Sequence, residues 1–175
     1  MPSIERIRLV VAATAMWTAV GLAVPLHGQG KESEADRVQR GCGPADIKHG
    51  VRISAVGRVE QATADKALVH VVRPAASGGF IQTKLAVDGK WMGVNLGGTY
   101  FTVSLEPGEH LLCSEAGNRA LMDISVEAGR TYYVEQHPVK NFVGKMKNSL
   151  RLLDDKEGVR ALIACRQSET FEKAK

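Results

Sequence analysis

The sequence predicts a mainly β protein: an antiparallel β-sandwich, immunoglobulin-like or prealbumin-like, of about seven to nine strands, with one C-terminal helix and a signal helix in front. Turn dipeptides recur every nine to eleven residues, and apolar residues alternate with polar ones between them. These intervals leave no room for the crossover helices that parallel strands need. The turns are Asp88-Gly89, Gly97-Gly98, Pro107-Gly108, Gly117-Asn118 and Ala128-Gly129.

Residues 1–30 have the order of a secretory signal. Arg6 and Arg8 form a positive head, residues 9–26 carry no charge, and a triplet with small ends precedes a charged stretch. We therefore predict cleavage after Gly30 and a periplasmic or secreted location. The alternative is an uncleaved helix that anchors the domain in the membrane, because eighteen uncharged residues are at the short end of the bilayer-spanning range.

Three parts are predicted after the signal. A polar linker over 31–48, whose first part over 31–41 could also be a frayed helix, leads into the sandwich with its helix over 49–166, and a polar tail over 167–175 follows. Inside the sandwich, the dense β-branched run over 67–72 indicates a central strand, which Pro74 ends.

The C-terminal helix is predicted from its start signal and its apolar stripe. Asp154 followed by Glu157 is a capping-box pair. Val159, Leu162 and Ile163 then recur at helical spacing. We expect this stripe to pack on the sheet.

Three cysteines follow the signal, and an exported chain is expected to form one disulfide and keep one thiol. Sequence alone does not fix the pairing. We favour Cys42 with Cys113, because Cys42 opens the folded part and Cys113 lies in a predicted strand, whereas Cys165 is expected on the late helix. A buried inert thiol, a metal site and a nucleophile are the other readings. No CxxC pair supports them, and the odd spacing of His110 and Cys113 puts them on opposite faces of a strand.

No motif for catalysis, metal binding or cofactor binding is present in the sequence: it has no GxSxG elbow, Walker loop, HExxH helix or EF-hand loop. Glu106 and Glu109 flank a hairpin tip and are interpreted as solvated turn charges. The histidines show no ligand spacing and are interpreted as surface or turn residues: His27, His49, His70, His110 and His137. The formal charge of +4 is mildly basic and indicates no nucleic-acid partner.

One candidate binding surface combines two aromatic residues with a basic stretch. Trp91 and Tyr133 would form a sugar-stacking shelf if both emerged on the same sheet face. Sheet packing is the other interpretation, and it is typical of aromatic residues in strands. The basic residues Lys140, Lys145 and Lys147 could contact anionic polymers, or they could simply form a solvated loop.

Four motifs and a closing segment resemble a known family. They read ALVHVVRP over 67–74, VDGKWMG over 87–93, YFTVSLEPGEH over 100–110, EAGRTYYV over 127–134 and LRLLDDKEG over 150–158. Together they resemble the bacterial domain of unknown function family 2846. The resemblance implies an exported, often lipid-anchored β-sandwich without an assigned reaction or catalytic residues. This chain lacks a cysteine at the predicted cleavage site, so a lipid anchor is not expected.

The leading functional hypothesis is an exported, non-enzymatic interaction or structural module of the bacterial envelope, whose partner is an unknown protein or an envelope polymer. A carbohydrate-binding or envelope-polymer-binding protein is the alternative. A hydrolase whose site is invisible in sequence is the third hypothesis. Membrane contact is expected only if the signal segment is retained, and fold alone does not decide among the three.

Overall fold

The computed structural model describes residues 32–55, 57, 60–75, 79–140 and 144–173. The predicted signal helix lies outside these residues. The described residues form one compact unit. Neither helix within the described ranges has the length and apolarity needed to cross a bilayer.

Two main sheets contain most of the strand residues. The first has the order β1 (His49–Ile53), β12 (Arg166–Glu172), β5 (Thr99–Leu105), β2 (Ala67–Arg73), β8 (Thr131–Gln136) and β11 (Leu150–Leu153). The second has the order β4 (Lys90–Asn95), β3 (Thr83–Val87), β6 (Gly108–Ala116) and β7 (Asn118–Val126). A small hairpin joins β9 (Val139–Lys140) to β10 (Met146–Lys147), and the helices are α1 (Glu34–Gly41) and α2 (Asp155–Ile163). The mainly β, two-sheet prediction with a C-terminal helix is confirmed.

The six-stranded sheet is mixed rather than purely antiparallel. β2 pairs antiparallel with β5 but parallel with β8, and β12 pairs parallel with β5. The four-stranded sheet is antiparallel throughout. The mixed pairing arises because β8 and β12 are reached through long connections rather than through hairpins.

Two segments predicted to be irregular are ordered. The predicted linker contains α1, whose N-cap Ser33 accepts a hydrogen bond from the Asp36 N–H at 3.1 Å. The predicted tail over 167–175 instead forms most of β12, between β1 and β5. Its polar composition concealed this strand; the buried Ser168 hydroxyl lies 3.1 Å from the carbonyl oxygens of Val94 on β4 and of Tyr100 on β5, so acceptors surround it.

The apolar core lies between the two sheets. It takes alternate residues from both, including Val71 and Val134 from the first sheet and Leu85 and Leu112 from the second, all fully buried. Each outer face carries a smaller cluster beneath a helix. α2 covers Val72, Tyr100 and Leu153, while Val38 of α1 packs on Ala86 and Cys113.

A buried polar network connects the sheets at one end of this core. The side-chain amide of Asn95 on β4 donates to the Val71 carbonyl at 3.0 Å and to Gln136 Oε1 at 3.1 Å. The hydroxyls of Thr99 and Ser168 lie 2.9 and 3.0 Å from Asn95 Oδ1. Because these four contacts match the bonding capacity of an amide, Asn95 is satisfied although it is completely buried.

The α2 helix packs on the sheet through a glycine rather than through its predicted stripe. Gly158 lies against the Tyr133 ring, whereas Ile163 is 80% exposed and Val159 is 42% exposed. Of the predicted stripe, only Leu162 packs on the outer cluster, together with Ala161. Glycine makes this contact because α2 lies too close to the sheet for a larger side chain.

Replacing Gly158 with alanine is expected to destabilise the protein by about 1–3 kcal/mol. An added Cβ would lie 2.1 Å from Tyr133 Cγ and 2.3 Å from Cδ2. Alanine itself favours helix by about 1 kcal/mol, so any net loss measures this collision. Urea unfolding gives the change, and Gly57→Ala is the control because a Cβ there meets nothing within 4 Å. Equal stability of Gly158→Ala and the parent would contradict this packing.

Candidate functional site

The predicted disulfide is confirmed. Cys42, which follows α1, is bonded to Cys113 on β6, and the two Cα atoms are 5.1 Å apart. Cys165 is the free, buried cysteine, and burial raises the pKa of its thiol. The disulfide therefore attaches α1 to the outer face of the four-stranded sheet, and the remaining thiol is unreactive.

The indole of Trp91 is held on several sides. Its Nε1 donates to the Pro44 carbonyl at 2.8 Å, and Lys84 Nζ lies 4.6 Å from the ring centroid. A Cβ on Gly43 would lie 2.4–2.6 Å from ring atoms, and His49 makes an edge contact. The ring therefore anchors the segment that follows α1 rather than offering an open stacking face.

The Tyr133 ring is also enclosed. His70 stacks on it with centroids 5.4 Å apart, and Gly158 of α2 packs against it. Tyr133 belongs to the six-stranded sheet and lies under α2, whereas Trp91 belongs to the cluster under α1 on the other sheet. The condition for a joint shelf of Trp91 and Tyr133 is therefore not met, because the two rings lie on different sheets, and each packs against a helical segment as the sheet-packing alternative expected.

The predicted basic stretch falls on the small β9–β10 hairpin. Lys147 is exposed on β10, and Lys145 is exposed just before it. For Lys140, on β9, only the backbone is described. This hairpin lies beside the β6–β7 turn, where Asn118 donates to the Asn148 carbonyl at 3.3 Å. The three lysines thus lie on or beside this small hairpin.

A different group of lysines lines a surface pocket of about 300 Å³, which we call the lysine pocket: Lys48, Lys84 and Lys173, with His49 and Gln82. The Lys173 N–H donates to the Lys48 carbonyl at 2.9 Å, so these two residues are direct cross-strand neighbours. Burial first, and then Lys84, lower the pKa of His49. Sequence reasoning missed this group because its members lie far apart in the chain.

A second pocket, of about 590 Å³, lies where β8 continues past the end of β11; we call it the β8 pocket. Its lining includes Arg130, Thr131, Tyr133, Leu152 and Asp155. It therefore combines a guanidinium, a carboxylate, a phenol and strand backbone. No histidine lines it, and within the described ranges no group of three or more His, Cys, Asp or Glu residues is placed to hold a metal.

His110 links the β3–β4 turn to the segment that joins β5 to β6. Its Nδ1 lies 2.7 Å from Asp88 Oδ2 in the β3–β4 turn, and its Nε2 lies 2.8 Å from the Glu106 carbonyl oxygen before β6. Both partners are acceptors, so both contacts are satisfied only by the protonated imidazolium. Burial opposes this charge, but the hydrogen bonds to Asp88 and Glu106 outweigh it and raise the pKa of His110.

Residues 63–147 match the model of a family described as Protein of unknown function (DUF2846). The matched range runs from β2 to β10 and contains most of the core strands and His110. It ends before the 150–158 segment that also carried the resemblance. No curated protein and no solved structure matches the chain.

The His110 bridge is expected to make stability depend on pH. Because the pKa of His110 is raised in the folded state, its contribution to stability is complete below about pH 6.5, the pKa of an unperturbed histidine. That contribution is lost as the pH rises through the higher pKa of the folded state. Burial opposes the ionised form of Asp88 as well, yet hydrogen bonds from His110 and from the Leu111 N–H lower its pKa. The contribution of Asp88 is therefore complete above about pH 4 and is lost as the pH falls below that value through the lower pKa of the folded state.

In urea unfolding, the free energy of unfolding of the parent should exceed that of His110→Gln by on the order of 1 kcal/mol at pH 5.5, and by less at pH 8.5. Taking the difference between the two proteins removes the opposing contribution of His49 and His70, whose pKa values are lowered by burial. A difference that stays the same at both pH values would overturn the imidazolium assignment.

Proposed function

The chain belongs to the DUF2846 family through residues 63–147, and from that premise we propose that it is an exported, non-catalytic interaction module of the bacterial envelope. The Cys42–Cys113 disulfide is the observation that carries this proposal. Structural disulfides form and persist in oxidising compartments and are rare in the cytosol. Together with the predicted signal, the bond favours a domain that matures after export.

The structural use of the reactive side chains also supports a non-catalytic role. His70 stacks on Tyr133 and contacts Thr102 Oγ1 at 3.1 Å, while the two nitrogens of His110 link the β3–β4 turn to the β5–β6 connection. Trp91 fixes the segment after α1. These side chains make contacts within the protein, as expected of a rigid module that presents its surface to a partner.

Export is tested by expressing the full chain in a bacterial host, isolating it from the envelope fraction and sequencing its N-terminus. We expect Lys31 as the first residue and a Cys42–Cys113 link in a non-reducing peptide map. Reduction should cost about 4 kcal/mol of stability, because the bond spans a sequence separation of 71. The matched control, Cys165→Ala, should keep both the link and the stability. A chain that stays in the cytosol with three reduced cysteines would contradict the proposal.

Interaction is tested by photo-crosslinking the exported protein in intact cells. The expected result is one or a few discrete adducts that depend on the native fold. Gly158→Arg, which forces α2 away from Tyr133, serves as the misfolded control and should lose them. Identical adducts from this control would mean nonspecific capture.

The lysine pocket favours a second candidate, in which the module binds an anionic envelope polymer. Lys48 and Lys173 are cross-strand neighbours, and like charges placed in this way destabilise a sheet unless an anion offsets them. The enclosed rings of Trp91 and Tyr133 argue against sugar stacking, so charge would supply the affinity.

Retention on immobilised lipopolysaccharide at low salt tests this second candidate. Lys48→Glu with Lys173→Glu should abolish retention, since it reverses two charges of the lysine pocket. The matched double variant Lys145→Glu with Lys147→Glu tests the β9–β10 hairpin and should retain binding. No retention of the parent at low salt, or the opposite ranking of the two variants, would reject the lysine pocket.

A further inference from the structure

The edge of β8 is incompletely covered. β11 pairs with β8 only from Leu150↔Gln136 to Leu153↔Tyr133, after which the chain turns into α2. On its other side β8 continues pairing with β2 through Tyr132 and Thr131. Among the described strands, none pairs with Thr131 and Tyr132 on the β11 side, and the β8 pocket lies there.

The backbone of Thr131 faces this open side. The Arg130 carbonyl accepts a hydrogen bond from the Leu68 N–H of β2 at 2.9 Å. Because the peptide bond is trans, the Thr131 N–H points the opposite way, toward the β8 pocket. In a strand the carbonyl of the same residue points to that side as well. Thr131 thus offers one donor and one acceptor to a further strand.

Opposite charges flank this backbone. Arg130 precedes Thr131, and its pairing with Glu127 at 3.2 Å is solvent-exposed, so it holds the guanidinium only weakly. Asp155 lies toward the Tyr133 end, where burial first and then this carboxylate raise the pKa of the phenol. The exposed side chain of Leu152 adds apolar surface to the same pocket.

We propose that the β8 pocket binds a short extended segment of a partner protein, which adds to the sheet beside Thr131 in line with β11. Strand addition takes its affinity from main-chain hydrogen bonds and its specificity from side-chain contacts. Three guest residues, spanning about 10 Å, lie opposite 129–131, because Asp154 follows Leu153 at the position opposite Tyr132. This inference rests on the proposed interaction module and names the chemistry of its partner.

Charge complementarity sets the sequence of that segment. A segment in line with β11 runs antiparallel to β8, so its N-terminal end lies near Asp155 and its C-terminal end near Arg130. A basic residue therefore comes first and an acidic residue follows. An anionic polymer fits this pocket poorly, because Asp155 would repel it.

The probe is the blocked peptide Gly-Lys-Thr-Val-Glu-Gly, titrated into the exported, isotope-labelled protein, and the comparison peptide has lysine and glutamate exchanged. We expect saturable shifts centred on the Thr131 amide, with slower hydrogen exchange there, and weaker binding of the exchanged peptide. Shifts centred elsewhere, or equal binding of both peptides, would overturn the proposal.

Two variants separate the backbone contribution from the charge contribution. Thr131→Pro removes the outward N–H but spares the bonds to β2, so it should weaken binding about fivefold, whereas Thr131→Val should not. Asp155→Lys lies on the exposed rim and should reverse the preference between the two peptides, which keeps the test valid even if the proline variant unfolds. Unchanged preference in Asp155→Lys overturns the site.

The same variants distinguish this inference from the proposed function. If Asp155→Lys keeps every crosslinked adduct of the parent, the module has partners but binds them elsewhere. If the parent forms no discrete adduct although it binds the peptide through Thr131, the strand-addition site stands and the envelope role fails.

Discussion

The amide of Asn95 is the constraint on which the arrangement of the two sheets depends. It belongs to one sheet, yet its hydrogen-bond partners lie on the other: Val71 on β2, Gln136 on β8 and Ser168 on β12. A buried amide left without hydrogen-bond partners costs on the order of several kcal/mol in desolvation free energy. Displacing either sheet would therefore be unfavourable. Apolar residues between the sheets supply most of the stabilisation, but they tolerate sliding. The polar network fixes the position.

Local patterns predicted the strands well because turn chemistry and alternation are local properties. The Asp88-Gly89 turn has positive φ at both residues, 49° and 80°, as a two-residue hairpin requires. Two features depend on distant partners and were not predictable. β12 is polar and forms a strand because it pairs with β1 and β5. α2 packs through Gly158 because Tyr133 occupies the space beneath the helix.

The candidate surface was harder to predict than the fold. Residue type made Trp91 and Tyr133 candidates for a stacking surface, but the sequence could not show which sheet face each would occupy or which groups would cover the rings. The disulfide was predictable in outline, since few cysteines were available. Lys48 and Lys173 come together only through the β1–β12 pairing, and the open backbone of Thr131 follows from where β11 ends. Neither leaves a local signature.

The position of β12 also governs the order of assembly. This strand lies between β1 and β5, and β1 has no other strand neighbour in the sheet. A chain that emerges N-terminus first therefore cannot complete the six-stranded sheet until β12 has emerged. Such long-range pairing is slow to form and leaves strand edges exposed meanwhile. Insertion of β12 between β1 and β5 is thus a late step in the assembly of this sheet.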